Sequence, residues 1–263
     1  MSIAWVRVNG VLSPGRDAVI PAMDAGFLVG WTVFETALSI GGRIPALQLH
    51  LDRLAESCTE ADISLPSEVV QEMHDVAGRV PGRARVRITL SGSGLRIVSA
   101  EPVSLERFGK PVRCARGRFC TDPYLSGAVK HGSRAGWVVA VRRAGVDDVL
   151  LVDEAGRFTE GTTCGILAVC DGEVYTAPND GRILPSTTVS QLVELAKSLG
   201  VPVHREGASS TGPWDGLYIA SATRGLVSVV ELDGQSLPGA EPVGRMLHEA
   251  FARSLEASGE GSG

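Results

Sequence analysis

Val149-Leu150-Leu151-Val152-Asp153-Glu154-Ala155-Gly156-Arg157-Phe158-Thr159-Glu160-Gly161-Thr162-Thr163 is the stretch that decides how this chain folds. The apolar run Val149 to Asp153 has strand length, Glu154-Ala155-Gly156 breaks it as a turn, and a second strand-like segment follows, closed by Glu160. Behind that carboxylate, Gly161-Thr162-Thr163 are small residues that let another group come close. Upstream stands Lys130, in Gly127-Ala128-Val129-Lys130-His131-Gly132-Ser133. Alone, a lysine is most often solvated and a glutamate at a strand end is most often a surface residue. The pair becomes informative with a third element downstream.

That element is Gly181-Arg182-Ile183-Leu184-Pro185-Ser186-Thr187-Thr188, running into Val189, Leu192, Val193, Ala196 and Leu199 at helical spacing. Thr188 with Gln191 has the form of a capping box, so a helix is predicted to start here. Free backbone N–H groups and hydroxyls at a helix start bind phosphate, although Ser and Thr are also common there for capping alone. A second hydroxyl cluster, Ser221-Ala222-Thr223-Arg224-Gly225, follows the strand candidate Leu217 to Ala220. It can close the other side of the same anion, or be a plain turn. Arg53, in His50-Leu51-Asp52-Arg53-Leu54, lies on a predicted helix and can bring a cation to the phosphate from the first domain; otherwise it is a helix-surface arginine.

A lysine amine attacks an aldehyde only when neutral, a state favoured by burial or a nearby cation. A carboxylate facing a pyridine nitrogen keeps that nitrogen protonated, so the ring withdraws electrons from a carbanion at the substrate carbon. Amine, carboxylate and anion site are three handles for pyridoxal 5'-phosphate (PLP).

With 263 residues and 44% hydrophobic content the chain can bury a full core, in one large domain or, as preferred here, two. A net charge of -5 and a pI near 5.6, with no basic stripe, exclude nucleic acid as the main partner. No apolar run reaches the length of a membrane span. Five cysteines, Cys58, Cys114, Cys120, Cys164 and Cys170, are odd in number and lack CxxC spacing, which points to a reducing cytoplasm and gives no metal site.

The first part is predicted to hold a strand from Ile3 to Val8, a loop through Pro21 to Gly26, and a strand from Val33 to Ile40 entering a hairpin at Gly41-Gly42. Helices are predicted over His50 to Ala61 and over Ser67 to Ala77, the latter capped by Ser67. Arg85 to Leu90 alternates basic and apolar residues before the flexible Ser91-Gly92-Ser93-Gly94. Strands at Val112 to Cys120, Ile166 to Val169 and Leu217 to Ala220 follow, with a turn-rich stretch from Thr121 to Ser126 and helices at Gly136 to Ala144 and Val189 to Leu199. The expected organisation is α+β: a small N-terminal domain over 1–118, a cofactor-binding domain over 119–257, and a flexible tail over 258–263.

In order and spacing these segments resemble the class IV aminotransferase family, the fold type IV PLP enzymes that include D-amino acid and branched-chain aminotransferases and aminodeoxychorismate lyase. The N-terminal match is Asp24 to Gly30, Val33-Phe34-Glu35-Thr36 and His50 to Leu54. The C-terminal match is Lys130, Leu150 to Asp153, Glu160 to Thr163, Ile183 to Thr188 and Arg224-Gly225-Leu226. The resemblance implies a small N-terminal α/β domain, a larger β-barrel-like C-terminal domain with helices, and a homodimer. It implies that Lys130 forms the internal aldimine, a Schiff base, and shuttles the substrate proton, while Glu160 pairs with the pyridine nitrogen. Arg53, Thr187 and Thr188 are implied on the phosphate and Leu184 on the ring. Thr163, Ser221, Ala222 and Thr223 complete the cofactor-binding set.

Several positions depart from the pattern. Gly165 stands where many members carry Asn, and Ala222 where Ser or Thr is usual. Ala135 replaces the Tyr of branched-chain enzymes, and Phe34 replaces the Tyr of D-amino acid enzymes. Phe34 and Arg96 are the substrate-side candidates, Arg96 as a carboxylate ligand one register off the family position. The expected activity is amino-group transfer between an amino acid or amine and a keto acid. The alternative is the lyase, which releases pyruvate and 4-aminobenzoate. Two lesser alternatives are a non-catalytic relative, motivated by Gly165 and Ala222, and a hydrolase using Cys164 with His131 or His204, although Cys164 reads more simply as a small buried hydrophobe.

Overall fold

Alternation along Arg83 to Ser91 builds the first sheet, because every second residue (Ala84, Val86, Ile88, Leu90) is buried while Arg85 is exposed. The computed structural model describes residues 4–104, 106 and 108–257; the tail expected at 258–263 lies outside them. The chain separates into two compact units, Met1–Leu105 with Tyr124–Arg134, and Glu106–Pro123 with Ala135–Glu256.

In the first unit, β1 (Trp5–Val8) and β2 (Val11–Pro14) form a hairpin whose turn residues Asn9 and Gly10 both have positive φ, as the twist of a two-residue hairpin loop demands. There follow α1 (Ala25–Leu28), capped by the Asp24 carboxylate accepting from the Gly26 amide, β3 (Thr32–Ile40), α2 (Leu47–Glu60), α3 (Val69–Ala77), β4 (Arg83–Ser91) and β5 (Arg96–Pro102). The order β2-β1-β5-β4-β3 is antiparallel throughout. Val33 and Ala37 of β3 join Leu54, Met73 and Val76 of the helices in one core.

Two local expectations are corrected. The turn at Gly41-Gly42 forms, with Ile40 and Arg43 bridged antiparallel across it, but no second strand extends the hairpin, and β3 pairs along its length with β4, two helices later. Ser67 does not cap α3, because the N-cap position is Glu68, which makes no side-chain cap bond, and the Ser67 hydroxyl goes to the Glu68 carboxylate at 3.4 Å.

The second unit contains β6 (Val112–Arg118), α4 (Ala135–Ala144), β7 (Asp148–Val152), β8 (Phe158–Gly161), β9 (Gly165–Cys170), β10 (Glu173–Tyr175), α5 (Thr187–Ser198), β11 (Val203–His204), β12 (Gly216–Ser221), β13 (Gly225–Leu232), β14 (Gln235–Ser236) and α6 (Pro242–Ala257). The strands run β9-β12-β13-β6-β7-β8, and β8 returns to β9 where Glu160 faces Gly165. The sheet therefore closes on itself as the expected barrel-like domain, which removes the exposed edge an open sheet would carry. Phe158, Leu150, Ile166, Ile219, Val227 and Val229 fill it. Beyond the short strands β10, β11 and β14, two larger elements stand outside the sequence expectations: β13, whose register with β12 begins right after the Ser221–Gly225 turn, and α6, which buries Leu247, Ala250, Phe251 and Leu255 at helical spacing.

The boundary expected near residue 118 is also corrected. β6 hydrogen-bonds in parallel to β13 and β7 and so belongs wholly to the second unit, while residues 124–134 belong to the first. The cause is the backbone: the Phe34 amide donates to the Lys130 carbonyl at 2.9 Å, Val33 bridges His131, and the Lys130 amide donates to Ser57 Oγ at 3.1 Å.

Gly165, one of the departures from the family pattern, has a packing reason. A Cβ there would lie 2.4 Å from Val189 Cγ2 and 3.1 Å from Ser186 Cβ, so the bare backbone of β9 is what lets the first turn of α5 seat against it. Valine is stiff at χ1 and cannot swing away cheaply. Gly165→Ala is expected to destabilise the protein by about 1–3 kcal/mol through overpacking. Thermal unfolding should register this as a Tm lowered by roughly 2–4 °C per kcal/mol; an unchanged Tm would contradict the packing account.

Candidate active site

Alternation on β3 places Val33, Glu35 and Ala37 on one face, against α2. The helix answers with His50, Arg53 and Ser57, three polar residues buried on one side. Arg53 donates to Glu35 from Nε at 2.9 Å and from Nη2 at 2.6 Å, and His50 Nδ1 lies 3.1 Å from Glu35 Oε1. Burial alone would raise the Glu35 pKa, but the Arg53 charge and the His50 hydrogen bond outweigh it and hold the carboxyl well below the usual carboxylate range. Losing one partner of such a buried pair costs about 3–5 kcal/mol, because the other is left uncompensated.

Lys130 stands beside this pair. Its amine lies 5.0 Å from the centroid of the Phe34 ring and makes no hydrogen bond or salt bridge among the described residues. Although its side chain keeps some surface, its pKa is drawn down to about 7: desolvation is the main cause, the Arg53 charge adds to it, Glu35 opposes it, and Arg134 and Arg87 contribute further repulsion. An amine half neutral at neutral pH is what nucleophilic attack on an aldehyde requires. The same Phe34 ring carries Arg87 at 3.7 Å and Arg134 at 5.4 Å. Arg87 is itself pulled down to about 10, first by desolvation and then by Arg85 and Arg134. Four cations, Arg53, Lys130, Arg87 and Arg134, thus gather about Phe34 and Glu35, which favours an anionic ligand.

In the second unit Glu160, 8% exposed, ends β8, and one carboxylate oxygen accepts from the Leu184 amide at 3.3 Å. Leu184 leads into α5, whose N-cap is Ser186: its hydroxyl accepts from the Val189 amide at 3.2 Å. The capping box expected from Thr188 and Gln191 is therefore corrected by two residues, and Gln191 instead donates to the Thr187 carbonyl. The correction leaves Thr187 and Thr188 in the first turn, both buried, with amides that precede any intrahelical partner. Ser221 ends β12, and Ala222 and Thr223 form the half-buried turn to β13, closed by the Arg224 amide donating to the Ser221 carbonyl. Arg224 Nη1 is buried with no hydrogen-bond partner. The chemistry of this donor set, free amides and hydroxyls, fits a phosphate, and the near-buried Glu160 fits a protonated ring nitrogen.

Some expected contacts are not brought together. Arg96 places Nε and Nη2 on the two Glu72 carboxylate oxygens at 2.8 and 2.9 Å, so its fork is taken by α3 rather than left for a substrate. Thr163 turns its hydroxyl to Asp148. Cys164 is buried, its thiol pushed well above the usual range by desolvation and by the Asp148 charge, while His204 is held by Glu173 at 2.7 Å and stacks on Tyr175. Burial of this kind is that of a structural cysteine and speaks against the hydrolase alternative. Glu35 and Arg87 escaped sequence inspection; the signal was there in Phe34-Glu35-Thr36, a charged residue inside an apolar strand, and in the alternation around Arg87.

The family model described as amino-transferase class IV matches residues 32–232. A putative branched-chain-amino-acid aminotransferase of Methanocaldococcus jannaschii is 29% identical over 267 residues, covering 88% of each chain. A D-alanine aminotransferase of Staphylococcus haemolyticus is 22% identical over 284 residues, covering 96% of this chain and 98% of its own. Among solved structures, a hypothetical aminotransferase from Mycobacterium tuberculosis in its PLP-bound form has a TM-score of 0.84 at 23% identity, covering 97% of this chain and 98% of that one. These relatives carry transaminase names, which favours amino-group transfer over the lyase alternative. The chain therefore belongs to the class IV aminotransferases and is a PLP-dependent aminotransferase of fold type IV.

Proposed function

We propose that this enzyme moves an amino group between an amino acid and a keto acid, with Lys130 as the residue that holds PLP and carries the substrate proton. The observation that supports this best is the Lys130 amine, desolvated beside Glu35 and Arg53 and brought to a pKa of about 7. When bound, PLP supplies an electron sink for the carbanion formed at the substrate carbon. Lys130 Nζ takes the proton from that carbon and returns it. Glu160, aimed by the Leu184 amide, would keep the ring nitrogen protonated, and Leu184 would pack on the ring. Thr187 and Thr188 would offer amides and hydroxyls to the phosphate, with Ser221, Ala222 and Thr223 lining the same cofactor, and Arg53 would add charge from a position fixed by Glu35.

On the substrate side Arg87 and Arg134, held over Phe34, replace Arg96 as the cations for a substrate carboxylate. We further propose a homodimer in a reducing cytoplasm. Support for the dimer is the run of exposed apolar side chains at Met23, Phe27, Leu28, Val29 and Trp31, more than isolated surface residues would explain. The five cysteines are all free thiols, consistent with that compartment. Among the described residues no helix is long and apolar enough to cross a membrane.

The chain has three lysines, Lys110, Lys130 and Lys197, so attachment is easily mapped. Borohydride reduction of the PLP-loaded protein is expected to leave the cofactor on the Lys130 peptide, and the loaded protein to pass the amino group to a keto acid. Label on Lys110 or Lys197, or pyruvate release from aminodeoxychorismate without transfer, would refute the assignment. PLP uptake by the apoprotein should depend on pH in a definite sense. The neutral amine is the reactive form, so the rate is expected to rise between about pH 6 and 8 and then level off. Because the Arg87 charge lowers the Lys130 pKa, Arg87→Met should move the half-point to higher pH; a half-point near that of an ordinary lysine in the unaltered protein would contradict the desolvated site. Phe27→Glu is expected to reduce the mass in sedimentation from a dimer to the 27.6 kDa chain, and a monomeric parent protein would remove the dimer proposal.

A further inference from the structure

Asp148, the first residue of β7, is fully buried, and its carboxylate collects four hydrogen bonds. Oδ1 accepts from the Val149 amide at 2.9 Å, the Thr162 amide at 2.8 Å and the Thr162 hydroxyl at 2.6 Å, and Oδ2 accepts from the Thr163 hydroxyl. Arg224 Nη1 stands 4.0 Å from Oδ2. Three of the four donors therefore come from the two residues that follow Glu160-Gly161, and the nearby cation comes from the turn that carries Ser221, Ala222 and Thr223. Gly161 permits the close approach, since a Cβ on it would lie 3.1 Å from Asp148 Oδ1.

Burying a carboxylate is costly unless it is paired and hydrogen-bonded. Barrel closure does not call for it, because β7, β8 and β9 are joined through their backbones. What the carboxylate does achieve is geometric. One acceptor ties the turn that follows Glu160-Gly161 to the turn of Ser221–Thr223, with short charge-assisted bonds on one side and an ion pair on the other. We infer that Asp148 is a positioning residue of the cofactor site, holding Glu160 and the Ser221–Thr223 turn in one arrangement through Thr162, Thr163 and Arg224. This rests on Glu160 and Ser221–Thr223 being PLP contacts, as proposed above.

The test is equilibrium titration of full-length apoprotein with PLP, followed by the absorbance of the bound cofactor, for the unaltered protein and for Asp148→Asn, Thr162→Val, their combination, Arg224→Gln and Glu160→Gln. Melting of each apoprotein is measured in parallel, and titrations are run well below it. Asp148→Asn is expected to weaken PLP binding about 10- to 100-fold, as loss of an orienting outer partner does at other ligand sites. Its absorption maximum is expected to shift in the same direction as that of Glu160→Gln. Thr162→Val should cost several-fold and add little to Asp148→Asn, because both act through one carboxylate. A variant that melts earlier yet keeps the parent affinity and spectrum would show a merely structural role and overturn the inference. If Asp148→Asn does not fold, unchanged affinity in both Thr162→Val and Arg224→Gln overturns it equally. Failure of PLP uptake already in the parent protein overturns the proposed function and this inference with it; failure confined to the variants' expected loss overturns the inference alone.

Discussion

Parallel neighbouring strands cannot be joined by a tight turn, and this chain is organised around that constraint. β6 and β7 lie side by side and parallel, so the residues between Arg118 and Asp148 have to cross over. The crossing carries residues 124–134 to the edge of β3, where Phe34 and Val33 receive them, and α4 returns the chain to β7. Lys130 is thus held by the backbone of the first unit although strands of the second flank it in sequence. A single connection serves both the barrel and the placement of Lys130.

Around that amine burial acts first and the balance of charges second. Glu35 is the carboxylate that neutralises Arg53, and Arg53 is held so closely to it that little of that negative charge is left for Lys130. Arg87 and Arg134 add repulsion, and desolvation removes the water that would otherwise steady an ammonium. Without Glu35 the same cluster would be an uncompensated set of buried cations. The polar stripe His50, Arg53 and Ser57 on α2 is therefore a support for Lys130 and Glu35 rather than the solvated face that three polar residues on a helix usually make.

How far the site could be read beforehand depended on whether a residue acts through its own type or through its neighbours. Lys130, Glu160 and the α5 start announce themselves because an amine, a carboxylate and a run of hydroxyls ahead of a helical period have few uses in that order. Arg96 looked equally suitable, yet Glu72 takes its fork, and nothing local to Arg96 foretells a carboxylate from α3. Thr188 looked like a cap, but the backbone enters α5 two residues earlier and Ser186 is the N-cap. Gly165 looked like a loss, and is instead the space that Val189 and Ser186 occupy.

Composition, periodicity and motif order by themselves determined an α+β chain with a strand-rich second half, a helix start suited to phosphate, and the residue types a PLP enzyme needs. Those are local properties, set by side-chain period and by chemistry that each residue carries alone. Only the tertiary structure decided which unit owns Lys130, that the barrel closes where Glu160 meets Gly165, and that Glu35 and Asp148 are buried carboxylates held by several hydrogen bonds each. Those outcomes depend on pairing between residues far apart in sequence, and on burial that changes a charge's free energy only once its neighbours are in place.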